Sequence, residues 1–405
     1  MRTLIHSIGG LAITNPSNLP LLKGAAMKDW AFLPDAFLII ENGEILEWGT
    51  GNPGQHADKT IDASGRLVLP AFCDSHTHIV YAGSREDEFV MKIQGRSYEE
   101  IAAAGGGILH SAEKLNQTTE AELLDQALPR LNILASFGVG AVEIKSGYGL
   151  SVAGELKMLR VIQQLKTQTR QAIKATFLGA HAIPAAYKSN RAGYIHLLIN
   201  NLLPVVAGEG LADFIDVFCD TGFFTVAETD QILDAGVRLG LQPKIHANEL
   251  DFSGGIEVGI RHNARSVDHL ECTGQEQIQA LLASQTMPTV LPSTAFFLGL
   301  PFAPARRMID AGLPVALATD FNPGSSPSGN MPFVLSLACI KMKMLPQEAL
   351  VAATQNGAYA MGLENNYGSI HPQKKAALII TKPMSSFDFL PYSFGHNPVE
   401  TLILP

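Results

Sequence analysis

Between residues 68 and 361 the chain alternates short apolar runs with longer stretches whose apolar residues recur every three or four positions. The runs predict strands at Val68–Cys73, Ala141–Lys145, Lys174–Leu178, Ile215–Phe218, Pro243–Ile245, Ser266–Val267, Thr286–Leu291 and Val315–Ala318. The stretches between them predict helices at Glu120–Phe137, Gly154–Leu165, Thr225–Leu239, Gln275–Ala283 and Pro304–Ala311, with a last one over Gln347–Met361 stopped by Gly362. Eight repeats of strand then helix predict an α/β chain folded as a (β/α)8 TIM barrel. A doubly wound sheet would want a glycine-rich phosphate loop after its first strand, where this chain has His76-Thr-His78. Gly105-Gly-Gly107 lacks the G-x-G-x-x-G spacing, follows no clear strand, and reads as a turn or loop.

The two ends follow a different pattern. Leu11–Thr14, Ala36–Ile40 and Glu44–Trp48 are short strand candidates, and the Asn42-Gly43 between the last two is a strong hairpin signal. Ser369–Ile370, Ala376–Thr381 and Thr401–Leu404 repeat the pattern at the other end. Neither end has enough strands to cover a sheet alone. The expectation is a small β-sandwich domain built from both termini (1–68 and 363–405) flanking a barrel over 69–362.

Composition narrows the class. The 405 residues are 46% hydrophobic and 17% charged, which describes a compact globular protein. A net charge of −9 argues against general nucleic-acid binding, which needs a basic surface. It leaves room for a small anionic substrate, because one buried arginine overrides the global field locally. The four cysteines (Cys73, Cys219, Cys272, Cys339) form no C-x-x-C pair and read as reduced thiols. The first ten residues carry no leader signature, and no apolar run reaches the roughly 18 residues a bilayer span needs, so a soluble cytoplasmic protein is expected.

Candidate chemistry gathers where the predicted strands end. The run Leu69-Pro-Ala-Phe-Cys-Asp-Ser-His-Thr-His78 closes on two histidines at i and i+2, which on a strand project from one face. His181 follows strand three, His246 and Glu249 follow strand five, Asp268-His269 ends strand six, and Asp320 ends strand eight. Five of twelve histidines thus fall at strand ends, the face on which a barrel builds its site. A single cation needs three or four such donors, and His76, His78, His246 and Asp320 form a three-histidine, one-carboxylate set suited to zinc or iron. An open position on that cation would lower the pKa of a water to about 7.

These residues, with Gly83-Ser-Arg85, Gly105-Gly-Gly-Ile108, Glu143–Leu150, Phe177–Pro184, His246-Ala-Asn-Glu249 and Thr319–Ser325, resemble the amidohydrolase superfamily over nearly the whole chain. Within it, their joint order is similar to the branch that opens 4-imidazolone-5-propanoate to N-formimidoyl-L-glutamate in histidine degradation. The resemblance implies the same metal set, and substrate contacts at Arg85, Tyr148, His181, Glu249, Asn322, Gly324 and Ser325. Where that branch carries glutamine or glutamate this chain has Glu249, and where it carries threonine it has Ser325. Arg85 suits a bidentate grip on a propionate carboxylate. The catalytic candidates are His269, as carbonyl donor or water-positioning group, and Asp320 or Glu249 as proton carrier. Many superfamily members bridge two metals with a lysine after strand four; Phe218-Cys-Asp220 has none, so one metal is expected. The alternatives are another mononuclear amidohydrolase, such as a deaminase or cyclic-imide hydrolase, and a non-catalytic scaffold. The first has no need of a carboxylate clamp, and the second would be expected to lack a metal residue. A homodimer is expected by analogy with the fold.

Overall fold

The computed structural model describes residues 1–51, 53–54, 56–96, 100 and 106–405. Its centre is an eight-stranded parallel sheet whose strands neighbour each other in chain order. They are β1 (Phe72–Asp74), β2 (Val139–Lys145), β3 (Ala172–Ala180), β4 (Phe214–Cys219), β5 (Gln242–Ala247), β6 (Ser266–His269), β7 (Met287–Val290) and β8 (Ala316–Leu317). Helices cover the outside, so the strands are buried on both faces, which is why they read as nearly continuous apolar runs. The exceptions point inward at alternate positions: Glu143 and Lys145 on β2, Asp216 on β4, Lys244 and His246 on β5, Asp268 on β6.

Just past the ends of β1 and β8 the sheet closes on itself through a parallel bridge between Thr77 and Phe321. The Asp320 N–H donates to the His76 carbonyl (3.0 Å), and the His78 N–H donates to the Phe321 carbonyl (2.9 Å). The seam of the barrel is therefore also the place where three of the predicted ligands meet.

The ends form two further sheets. One orders Glu44–Thr50, Ala36–Glu41, Arg2–Ile8 and Lys59–Asp62; the other orders Val399–Ile403, Leu378–Thr381, Leu67–Pro70, Gly10–Ile13 and Ala31–Leu33. Ile5, Leu38 and Ile45 from the first share one buried cluster with Leu11, Val68 and Leu378 from the second, which makes this a sandwich. The predicted hairpin turns through Asn42 (φ 52°) and Gly43 (φ 83°), the two left-handed residues a type I′ turn requires.

Three expectations need correction. The single strand Val68–Cys73 is two strands in two sheets: Leu67–Pro70 pairs in the sandwich, and Phe72–Asp74 opens the barrel. Pro70 has no N–H to offer the ladder; the Ala71 N–H still donates to Ala377 on the sandwich side (2.9 Å), and the next amide, Phe72, donates to the Gly138 carbonyl on the barrel side (2.9 Å). The helix over 347–361 breaks at Thr354 (φ −118°, ψ −85°), whose hydroxyl caps back onto the Leu350 carbonyl. Beyond the break, Gly357 lies so close to β1 that a Cβ there would stand 2.3 Å from the Cys73 carbonyl oxygen. After β1, where no helix is predicted, the described residues form helices at Glu86–Ile93 and Ile108–Gln117; Gly105 lies outside the described residues.

Candidate metal centre and substrate pocket

Four donor atoms converge at the barrel seam. His76 Nε2 and His78 Nε2 are 3.3 Å apart, and His78 Nε2 and His246 Nε2 are 3.5 Å apart. Asp320 Oδ1 stands 3.6 Å from both His76 Nε2 and His78 Nε2. Donors about 2.0–2.1 Å from a tetrahedral cation lie about 3.3–3.4 Å from one another. His76, His78 and Asp320 therefore have the spacing and the nitrogen–oxygen chemistry for one such ion, with His246 Nε2 beside them against His78. His269 lies alongside, its ring 5.4 Å from that of His76 and 5.2 Å from that of His246. Among the described residues, the donor clusters compact enough for a cation are His76/His78/Asp320 and His76/His246/His269.

The imidazoles are held ready by partners on their other nitrogens. His76 Nδ1 bonds Asp268 Oδ2 at 2.6 Å, and His246 Nδ1 bonds Asp216 Oδ1 at 3.1 Å, which turns both Nε2 atoms to the centre. Burial holds His76 well below the ordinary histidine range, with the Lys145 charge adding to it; burial and the neighbouring His181 do the same for His78. Both rings are neutral at pH 7 and can offer lone pairs. Asp320 Oδ2 takes the Thr294 hydroxyl at 2.5 Å, and burial pushes the Asp320 carboxyl up to about 6. Its backbone sits in the left-handed region (φ 51°), as do His269 (φ 84°) and Leu270 (φ 71°). Such strain collects where a fold must aim a side chain.

Beneath the ligands lies a buried ionic layer. Lys145 Nζ donates to Glu143 (2.6 Å) and Asp216 (2.8 Å) and stands 3.6 Å from Asp268. Lys244 Nζ bonds Glu143 and donates to the Ser75 carbonyl at 3.0 Å. Burial works against the Lys145 charge, but Asp216, Glu143 and Asp268 outweigh it and hold the ammonium above its ordinary range.

On the open side, Tyr148 and His181 line the wall against His78, the His181 ring stacking on it at 5.3 Å. His181 Nδ1 bonds the Gly147 carbonyl at 3.1 Å, and burial pushes His181 down to about 3. Arg85 is no surface arginine. It grips Glu88 through Nε (2.9 Å) and Nη2 (2.6 Å), Glu88 also accepts the Gly107 N–H, and the Arg85 side chain is 14% exposed. It lies across Gly324, where a Cβ would stand 2.2 Å from Nη1. A side chain there would push the guanidinium aside, and Arg85, Gly107 (through Glu88) and the Asn-Pro-Gly-Ser turn meet at one point. Asn322 behaves differently from the expectation: its side-chain oxygen accepts the Gly324 and Ser325 N–H groups (2.8 Å each), and its nitrogen donates to the Asp320 carbonyl and Ser325 hydroxyl. In this state those amides build the turn and do not face outward.

Comparison with known proteins fits this geometry. The Amidohydrolase family model matches residues 249–399. An imidazolonepropionase from Flavobacterium johnsoniae is 55% identical over 100% of this chain and 99% of its own. One from Geobacillus thermodenitrificans is 42% identical over 97% and 94%. The chain belongs to the imidazolonepropionase family. The fold is also that of a 5-methylcytosine deaminase from Klebsiella pneumoniae (TM-score 0.74, 19% identity, covering 100% of this chain and 96% of that one).

For an imidazolonepropionase-family chain, the residues that sequence reasoning passed over are Glu143, Asp216, Lys244, Glu88, Thr294 and Glu271. A signal for the first three existed: charges alternating with apolar residues inside runs otherwise too apolar for a solvent face. Nothing local marks Thr294, which another element brings in, whereas Glu88 stands at i+3 from Arg85. Asp220, after β4, accepts the Glu249 and Leu250 amides (2.8 and 2.9 Å) and so shapes the loop that presents Glu249.

Proposed function

We propose that the protein hydrolyses the cyclic amide of 4-imidazolone-5-propanoate to N-formimidoyl-L-glutamate in histidine degradation, using one divalent cation, zinc or iron, in the cytoplasm, with a homodimer as the working form. The observation that carries this beyond a generic amidohydrolase is Arg85, a half-buried guanidinium held by Glu88 through Nε and Nη2 with Nη1 over Gly324. A propionate would join Glu88 at this cation, whereas a neutral base, the substrate of a deaminase, brings no anion to it. Among the described residues no helix is long and apolar enough to cross a membrane.

His76, His78, His246 and Asp320 would hold the cation. When bound, it supplies Lewis acidity and makes a water nucleophilic near neutral pH. The protein does the rest. Arg85 takes the propionate, while Tyr148, His181 and the Asn322–Ser325 turn bound the ring. His269 donates to the carbonyl oxygen as water adds to its carbon. Asp320 or Glu249 accepts the water's proton and returns it to the ring nitrogen as the C–N bond breaks. The decisive experiment offers 4-imidazolone-5-propanoate to metal-loaded protein and follows loss of imidazolone absorbance. No turnover at full metal occupancy would favour a deaminase or cyclic-imide hydrolase.

Two further outcomes are expected. Arg85→Lys, which keeps charge but loses the two-pronged geometry, raises KM by about tenfold or more and leaves kcat within about threefold. Equal losses in both parameters would contradict a clamp. Burial, with the charges of Asp320 and Asp220, pushes Glu249 up to about 8. A proton acceptor must be ionised, so kcat climbs with pH through the neutral range and levels at or below about 8, a nearby cation favouring the anion. Glu249→Gln removes that limb; a wild-type kcat flat from about pH 6 to 9 would take Glu249 out of the role.

A further inference from the structure

Glu271, just past β6, is a buried carboxyl that the reaction above leaves unused. Its side chain is 1% exposed, and among the described residues neither of its oxygens has a hydrogen-bond partner. His269 Nδ1, equally unpartnered, lies 3.9 Å from Glu271 Oε2 and 3.6 Å from Glu249 Oε2. The two carboxyls therefore bracket one ring nitrogen. The chain reaches this arrangement through two successive left-handed residues, His269 and Leu270, pinned by the Leu270 N–H on the Ala247 carbonyl (3.1 Å). An ordinary extended exit would carry the side chain at 271 away from the ring.

A buried carboxyl with no donor near it except its own backbone N–H is poorly placed to be an anion. As a neutral acid its O–H needs an acceptor, and Nδ1 supplies a lone pair there. We propose that Glu271 is a positioning residue: its carboxyl donates to His269 Nδ1 and so fixes the ring's own N–H on Nε2, the nitrogen that serves the substrate carbonyl. A movement of about 1 Å brings the pair to hydrogen-bond length, the kind of tightening that accompanies substrate binding. Burial and the neighbouring Glu249 push Glu271 well above the ordinary carboxylate range, in keeping with a protonated group. With Nδ1 satisfied by Glu271, Glu249 is free to turn to the water and the leaving nitrogen. The inference rests on the reading of His269 as carbonyl donor.

The test uses zinc-loaded full-length protein with 15N-labelled histidine, alongside turnover of 4-imidazolone-5-propanoate. In wild type and Glu271→Gln, whose amide still donates, His269 carries its proton on Nε2; in Glu271→Val that preference is lost. Glu271→Val loses about 10- to 100-fold in kcat with KM within about threefold, and Glu271→Gln stays within about threefold of wild type. Glu271→Val should still unfold cooperatively with Tm within about 4 °C of wild type, the cost of one hydrogen bond, which separates this loss from misfolding. A wild-type ring protonated on Nδ1, or a Gln variant as impaired as the Val variant, overturns the proposal. Failure of the wild type to turn over sinks the substrate reading instead, and the histidine spectra still decide the role of Glu271.

Discussion

Asp320→Asn should lower kcat by about 10³-fold or more at full metal occupancy while the fold stays intact. Asparagine is among the few residues that tolerate the left-handed backbone of position 320, so the strain there is unchanged. What changes is the chemistry. The amide presents no anion to the cation, cannot take a proton from water, and, if its nitrogen takes the place of Oδ2, puts a donor against the Thr294 hydroxyl. Metal content measured beside kcat separates lost binding from lost proton transfer. A variant that retains more than a tenth of wild-type kcat with metal bound would remove Asp320 from the reaction and leave Glu249 as sole proton carrier.

Lys145→Met should destabilise the protein by about 3–5 kcal/mol, although the residue is expected to touch neither cation nor substrate. Lys145 is wholly buried between Glu143, Asp216 and Asp268, and methionine fills similar space without the charge. Burial alone would oppose ionised Asp216; His246 and Lys145 together hold it well below the usual range. Without the ammonium the carboxylates repel one another, and the two that orient His76 and His246 lose their fixed positions. Metal affinity should then fall by about 10- to 100-fold. Denaturant unfolding of the metal-free protein and chelator competition measure the two effects separately. Adding Glu143→Gln should recover part of the stability by removing one of the stranded charges. A single variant within about 1 kcal/mol of wild type would show that the layer beneath the ligands is incidental.

The site was legible in proportion to how much of it is local. His76 and His78 announce themselves, because the period of a strand puts i and i+2 on one face. His246 and Asp320 follow once eight apolar runs are counted, since a barrel brings strand ends together whatever their separation. Lys145 was visible as a charge at a strand end, with Glu143 two residues back on the same face, but Asp216 and Asp268 were not, because β4 and β6 supply them and no spacing rule links those positions. The break at Ala71 escaped detection for a related reason. An apolar run looks the same whether it serves one sheet or two, and only Pro70 hinted at the change. Asn322 shows the opposite failure: a residue type suited to ligand contact is occupied in holding its own turn.

The seam between the first and last strands ties Asp74 to Thr319 through two hydrogen bonds spanning 245 positions of chain, two residues before His76 and one before Asp320. A cation bound across that seam acts as a clasp on the longest loop the barrel must close. Asp320 joins the other donors only when the ring closes, so a cation held by the full set would favour the completed barrel, by about 4 kcal/mol at a thousandfold excess over Kd.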